Sequence, residues 1–162
     1  MVVFVIGLPG SGKSYFAKEL SQKISAVHLS SDVLRRNLIN SPRYTEEEKQ
    51  LVYHHLLEQL ERIVRMGKTT IVDATFYKNH LRQKFMEMLT GRGIKYEIIE
   101  ISASDADVKK RLSKARKDSD ADYDVYLAIK KSWEPVKEDK LSLNSSKLAL
   151  DKMIDKAVKY IG

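Results

Sequence analysis

The chain has 162 residues, 43% of them hydrophobic and 31% charged, with no cysteine. That length suits one domain with its own core, the apolar fraction excludes a disordered polyelectrolyte, and the lack of cysteine excludes disulfides and thiolate metal sites. The 29 Lys and Arg outnumber the 22 Asp and Glu, for a formal net charge of +7, which suits a nucleotide, phosphorylated metabolite or nucleic-acid partner as readily as it suits a plain solvated surface.

No stretch is apolar for long enough to span a bilayer. The opening run, Met1 to Ile6, is too short for a signal peptide and has no basic flank. The expected location is the cytoplasm, with no membrane partner. Val2 to Ile6 is a continuous apolar run that stops at Gly7, as in a strand buried on both faces. Lys13 to Ile24 reads as a helix, Ala26 to Leu29 as a short strand, and Asp32 to Ile39 as a helix ended by Pro42. Thr45 and Glu48 form a capping box ahead of an amphipathic helix reaching about Met66. Thr69 to Val72 is a third buried strand, closed by Asp73. A helix over about Asn79 to Leu89 follows, then a strand over Tyr96 to Ile101 and a helix capped by Ser104 and Asp107. Leu141 and Leu143 mark a weak fifth strand, and Lys147 to Tyr160 the last helix. Strands separated by helices predict a parallel α/β sheet with right-handed crossovers.

Gly7-Leu8-Pro9-Gly10-Ser11-Gly12-Lys13-Ser14 fits G-x-x-x-x-G-K-[ST] and sits between a strand and a helix, as that motif requires. Its glycines let backbone N–H groups wrap around phosphates, and the following helix points its positive end at them. Lys13 is then the point charge on the β- and γ-phosphates of ATP, and the Ser14 hydroxyl a ligand of Mg²⁺. Pro9, Gly10, Ser11 and Gly12 complete the cradle.

Ligands of an open parallel sheet gather at the carboxyl ends of its strands. Asp32 and Arg35, just beyond the second strand, are one helical turn apart and share a face. There Asp32 can take the proton of an attacking hydroxyl and Arg35 can hold an acceptor or transition-state charge; the plain alternative is a helix cap and a solvated arginine. Asp73 is placed to orient water on Mg²⁺, or to serve as a turn residue. Thr75 and Arg82 follow as candidate acceptor contacts, with a plain surface helix position as the alternative for Arg82. The run Lys109, Lys110, Arg111, Lys114, Arg116 and Lys117 contains no acid. It reads as part of a lid over about 109–125 that brings Arg111 or Arg116 to the transferring phosphoryl group, with Arg116 also a nucleotide contact. Tyr123, Tyr126, Trp133 and Tyr160 do not interleave with the basic run as a base-stacking platform would. His28, His54, His55 and His80 have no metal-binding spacing and receive no role.

These residues resemble the small P-loop kinases related to the kinase domain of phage-type polynucleotide kinase, a group with zeta-toxin-like and gluconate-kinase-like members. The pieces that match are Gly7 to Ser14, Asp32-Val33-Leu34-Arg35, Val72-Asp73-Ala74-Thr75 with Arg82, Lys110-Arg111 through Arg116, and the lid-like stretch Asp118 to Asp122. The resemblance implies that Asp32 is the general base, that Arg35 binds acceptor phosphate and that the lid arginines contact ATP. It also implies a three-layer sandwich with a five-stranded parallel sheet in the order 2-3-1-4-5. His28 to Arg35 is similar to the nucleoside-monophosphate-binding segment of adenylate kinases. Those enzymes carry Asp-Gly-aromatic-Pro-Arg after the third strand, where this chain has Asp73-Ala74-Thr75-Phe76-Tyr77. The expected activity is transfer of the γ-phosphate of ATP–Mg²⁺ to a hydroxyl on a polynucleotide 5′ end, a nucleoside or a small metabolite. The alternatives are a nucleoside monophosphate kinase and a nucleotide-binding switch.

Overall fold

Side-chain chemistry places a parallel sheet at the centre. The computed structural model describes residues 1–114 and 122–162. Strand β1 (Val2–Ile6) is buried along its whole length. It pairs in parallel with β3 (Thr70–Ala74) on one side and β4 (Tyr96–Ser102) on the other. Outside these lie β2 (Val27–Ser30) and β5 (Leu141–Asn144), so the order is β2-β3-β1-β4-β5, as expected.

Alternate residues of the strands feed two cores. Phe4, Ile6, Leu29, Val72 and Ile98 face α3 (Glu46–Arg65) and α4 (Asn79–Thr90), through Leu56, Leu60, Phe85 and Leu89. Val3, Val5, Ile71, Ile99 and Leu143 face α1 (Lys13–Lys23) and α7 (Leu150–Ile161), through Phe16, Leu20 and Ile154. This two-sided burial makes the strands read as unbroken apolar runs and gives a three-layer sandwich. A small satellite core of Val108, Leu112 and Tyr126 joins α5 (Asp105–Leu112) to α6 (Tyr123–Lys131). Among the described residues no helix is long and apolar enough to cross a membrane.

Several boundaries differ from the sequence reading. Helix α2 (Ser31–Leu38) starts one residue before Asp32, because Ser30 caps it, its side chain accepting from the Val33 N–H. Helix α7 starts at Leu150 rather than Lys147: the Asn144 carbonyl accepts from the N–H groups of Lys147 and Leu148, winding 145–149 into a turn first. Asp73 lies inside β3 instead of closing it. Helix α6 was not anticipated; its N-cap, Asp122, accepts from the Val125 N–H at 2.9 Å, and its first residues fall within the span read as a lid. Arg116, Lys117 and the stretch from Asp118 to Ala121 lie outside the described residues.

Candidate active site

All five strands are parallel, so their carboxyl ends share the sheet edge from which the loop after central β1 leaves. At Gly7 a Cβ would stand 2.2 Å from the Ile101 carbonyl oxygen, so only glycine lets the loop leave the sheet this close to β4. Gly12 caps α1 in the left-handed region, at φ 91°, and no side chain bonds the first-turn amides of that helix. No acidic residue sits in that turn. The helix therefore offers uncapped N–H groups and its positive end to an anion. Lys13 is buried to 6% exposure and makes no ion pair among the described residues, and the buried Ser11 hydroxyl has no hydrogen-bond partner. A buried lysine and a buried hydroxyl left in this state fit phosphate oxygens as their missing partners.

Lys13, Asp32, Arg35 and Thr75 line one small cleft together with Tyr44 and Tyr77. Its free volume is about 30 Å³, room for about one water. Arg35 is buried; its Nη1 lies 3.2 Å from Asp32 Oδ1 and its guanidinium 4.5 Å over the Tyr44 ring. Its Nε has no partner. Across the cleft, Lys49 Nζ donates to Glu46 Oε1 at 2.7 Å and lies 5.0 Å from the Tyr77 ring centroid. That bond from Lys49 holds the Glu46 carboxyl below its ordinary range. The Tyr77 hydroxyl donates to Glu46 Oε2 at 3.1 Å. Burial first, then the Glu46 charge, pushes the Tyr77 hydroxyl up to about 12. The Tyr53 hydroxyl accepts from the Phe76 N–H at 2.8 Å, and burial raises its pKa too. This bond helps hold Phe76 at φ 50°, an uncommon conformation for a residue with a side chain.

Strand alternation puts Asp73 on the face of the sheet that α1 covers, because Ile71 points there and Val72 points away. Asp73 is 1% exposed, and neither carboxylate oxygen has a hydrogen bond. Helix α1, which carries Ser14, packs directly on β3. A buried carboxylate with bare oxygens, on the strand beneath the helix that carries the Ser14 hydroxyl, fits the donor chemistry of Mg²⁺. That ion takes few protein ligands and fills its shell with water and phosphate. No cluster of three or more His, Asp or Glu suited to a metal occurs among the described residues, so an all-protein cage is not the way this chain would hold one.

On the other flank of α1 lies a cavity of about 560 Å³, lined by Gly12, Tyr15, Arg111, Lys114, Ser145 and Leu148 among others. Arg111 does not reach out as a free lid arginine. Its Nη1 donates to the Gly10 carbonyl at 3.1 Å and to Ser145 Oγ at 2.9 Å, while Ser145 Oγ donates to the Ser11 carbonyl at 2.6 Å. Helix α5 and the β5–α7 turn are thus tied to the loop backbone.

Arg82 departs most from the sequence reading. Instead of meeting an acceptor, it is 2% exposed, and its Nη1 donates to the carbonyls of Phe76 at 2.8 Å and Glu134 at 3.0 Å. Its Nη2 donates to the Pro135 carbonyl at 3.1 Å. It pins the β3–α4 segment to residues 134–135 and is not among the residues that line the cleft with Lys13 and Asp32. The sequence reading missed Tyr44, Lys49, Tyr53, Tyr77 and Ser145. Lys49 and Tyr53 sit four apart on α3, a shared face that helix periodicity could have shown. Ser145 follows β5, at the sheet end where ligands gather.

Residues 2–136 match the AAA domain family. The chain belongs to that family. This AAA domain is similar to adenylate kinase 1 of Schistosoma mansoni, at 30% identity over 122 residues, which are 70% of this chain and 62% of that relative. The chain thus spans less than two thirds of the relative's length. In three dimensions it resembles a sugar kinase from Janibacter (17% identity, TM-score 0.76, 99% of this chain and 93% of the other). It also resembles the APS kinase of Mycobacterium tuberculosis in complex with AMPPNP and APS (18%, 0.77, 99% and 96%). A gluconokinase from Sinorhizobium meliloti is a third neighbour (14%, 0.74, 98% and 89%). At these identities the three structures speak for the fold, and the AAA domain has the sheet order that the family resemblance implies.

Proposed function

We propose that this AAA domain is an ATP-dependent kinase that moves the γ-phosphoryl group of ATP to a hydroxyl of a small or terminal acceptor. The observation that carries the reading is that Lys13 and Asp32 line one small cleft. The group suited to the transferring phosphate and the group suited to the acceptor proton are therefore neighbours.

In this reading the amides of Gly10 to Ser14 and the Lys13 ammonium bind the β- and γ-phosphates, and the base and ribose extend into the cavity between Tyr15 and Leu148. Ser14 and Asp73 hold Mg²⁺, which when bound neutralises charge building on the β- and γ-oxygens. Asp32 accepts the proton of the acceptor hydroxyl as its oxygen attacks the γ-phosphorus and the bond to the β,γ-bridging oxygen breaks. Arg35, steadied by Asp32 and Tyr44, holds acceptor charge, and Thr75 offers a hydroxyl beside it. Arg111 keeps the phosphate loop in shape from outside, and Arg116 is the candidate for direct contact with the transferring group.

The tyrosines that stand beside Asp32 and Arg35 in the cleft lining favour a small acceptor or the end of a larger one. The adenylate kinase similarity favours a second reading, with a nucleoside monophosphate as acceptor. Labelled ATP incubated with nucleosides, sugars, 5′-hydroxyl oligonucleotides and nucleoside monophosphates separates the two. Label in a new phosphomonoester supports the hydroxyl reading, and label only in a nucleoside diphosphate overturns it.

A further inference from the structure

His28 was given no role by its sequence context, and the reaction described above does not use it. It lies on β2, two residues before Ser30, which pairs with Asp73. Because Leu29 points into the α3 side of the core, His28 points to the α1 side, the side that Asp73 faces. The His28 Nε2 atom is 3.4 Å from Asp73 Oδ2, and both atoms are shut off from solvent. Neither makes an aligned hydrogen bond, and the other Asp73 oxygen has none. A carboxylate buried in this way is costly unless something donates to it.

Building on the Mg²⁺ role given to Asp73, we propose that His28 is a positioning residue that fixes the Asp73 carboxylate for the metal–nucleotide complex. The imidazole donates from Nε2 to Oδ2. A small turn of the ring at 3.4 Å aligns the bond. Oδ1 is then left as the acceptor for a water on the metal. Histidine suits this position because its ring spans the diagonal between neighbouring strands and presents a donor to the carboxylate. A purely structural pair would hold β2 to β3 and leave metal binding untouched.

The test uses the full chain with His28→Leu, which keeps bulk without a donor, His28→Gln, which keeps a donor, and Asp73→Asn. Two affinities are measured for each protein after circular dichroism has checked its fold. One is for Mn²⁺, by electron paramagnetic resonance, on the complex with a non-hydrolysable ATP analogue; the other is for that analogue alone in excess chelator. We expect His28→Leu to weaken Mn²⁺ binding about tenfold, the low end for partners of metal-binding groups. The metal-free nucleotide affinity should not change, and His28→Gln should recover most of the loss. Wild-type Mn²⁺ affinity in His28→Leu overturns the proposal, as does equal loss of metal-free nucleotide affinity. An unfolded His28→Leu together with a folded His28→Gln that binds Mn²⁺ tenfold less tightly than wild type also counts against it. If Asp73→Asn leaves Mn²⁺ binding unchanged, the metal role of Asp73 fails. If Asp73→Asn weakens binding while His28→Leu does not, only the role of His28 fails.

Discussion

Arg82 Nη1 stands 2.8 Å from the Phe76 carbonyl oxygen, inside the fold and away from the cleft that Asp32 lines. A sequence context that suggests a substrate contact has thus placed an arginine where it ties backbone segments together. Arg82→Ala should leave the carbonyls of Phe76, Glu134 and Pro135 short of donors. At about 1–3 kcal/mol for a buried group left unsatisfied, the loss of stability should be about 3 kcal/mol. Urea denaturation measures it. The folded fraction should keep its Michaelis constant for the acceptor; a raised constant with unchanged stability would return Arg82 to the substrate.

Glu134 supplies the companion contacts. Its carboxylate accepts from the Asn79 N–H at 2.7 Å and from Lys78 Nζ at 3.1 Å. These bonds, the Asn79 amide first, hold its pKa below the ordinary glutamate value. A lowered folded-state pKa contributes stability above the unfolded pKa and loses it as pH falls through the folded value. The melting-temperature gap between wild type and Glu134→Gln should therefore be steady while pH stays above the ordinary glutamate value and close as pH falls below it. A gap that persists at the acid end would mean that the carboxylate charge is not what matters.

Lys13→Ala should fold normally, because the ammonium makes no ion pair among the described residues. Turnover should fall by at least about 10²-fold, the usual loss when a donor aimed at developing charge is removed. Thermal melting and a turnover assay on the same sample check both halves.

The layers were legible because both faces of the sheet are covered. Val2–Ile6 and Thr70–Val72 carry the unbroken apolar runs that burial on two sides demands, and the phosphate loop announces itself between β1 and α1. Helix α6 was obscured because Tyr126 and Ile129, its buried residues, follow a run of charge that dominates the local pattern. At Arg82 a buried arginine and a substrate-binding one look alike in sequence; its buried place depends on the carbonyls of Glu134 and Pro135, more than 50 residues away. The tyrosine walls of the cleft come from α3, the α2–α3 loop and the segment after β3, so no local motif gathers them.

The lining of the cleft, with Asp32 and Arg35 set among tyrosines, bears on nucleic acid. An oligonucleotide acceptor should meet the site by its end alone. Its affinity should then depend on salt with a slope worth about one or two phosphates, at about −0.7 for each on a single strand. The slope should be the same for short and long 5′-hydroxyl oligonucleotides. A slope that steepens with length would reveal a track along the strand.

Asp32 separates a kinase acting on hydroxyls from one acting on groups that are already anionic, which need no proton acceptor. Asp32→Asn keeps the shape of the side chain and removes its ability to take a proton. Turnover with the best hydroxyl acceptor and the dissociation constant for ATP should be measured on the same preparation. Turnover should fall by about 10²–10⁴-fold, as for loss of a general base, while ATP binds as in wild type. Retained turnover, or ATP affinity lost in step with it, would mean that Asp32 does not take the acceptor proton.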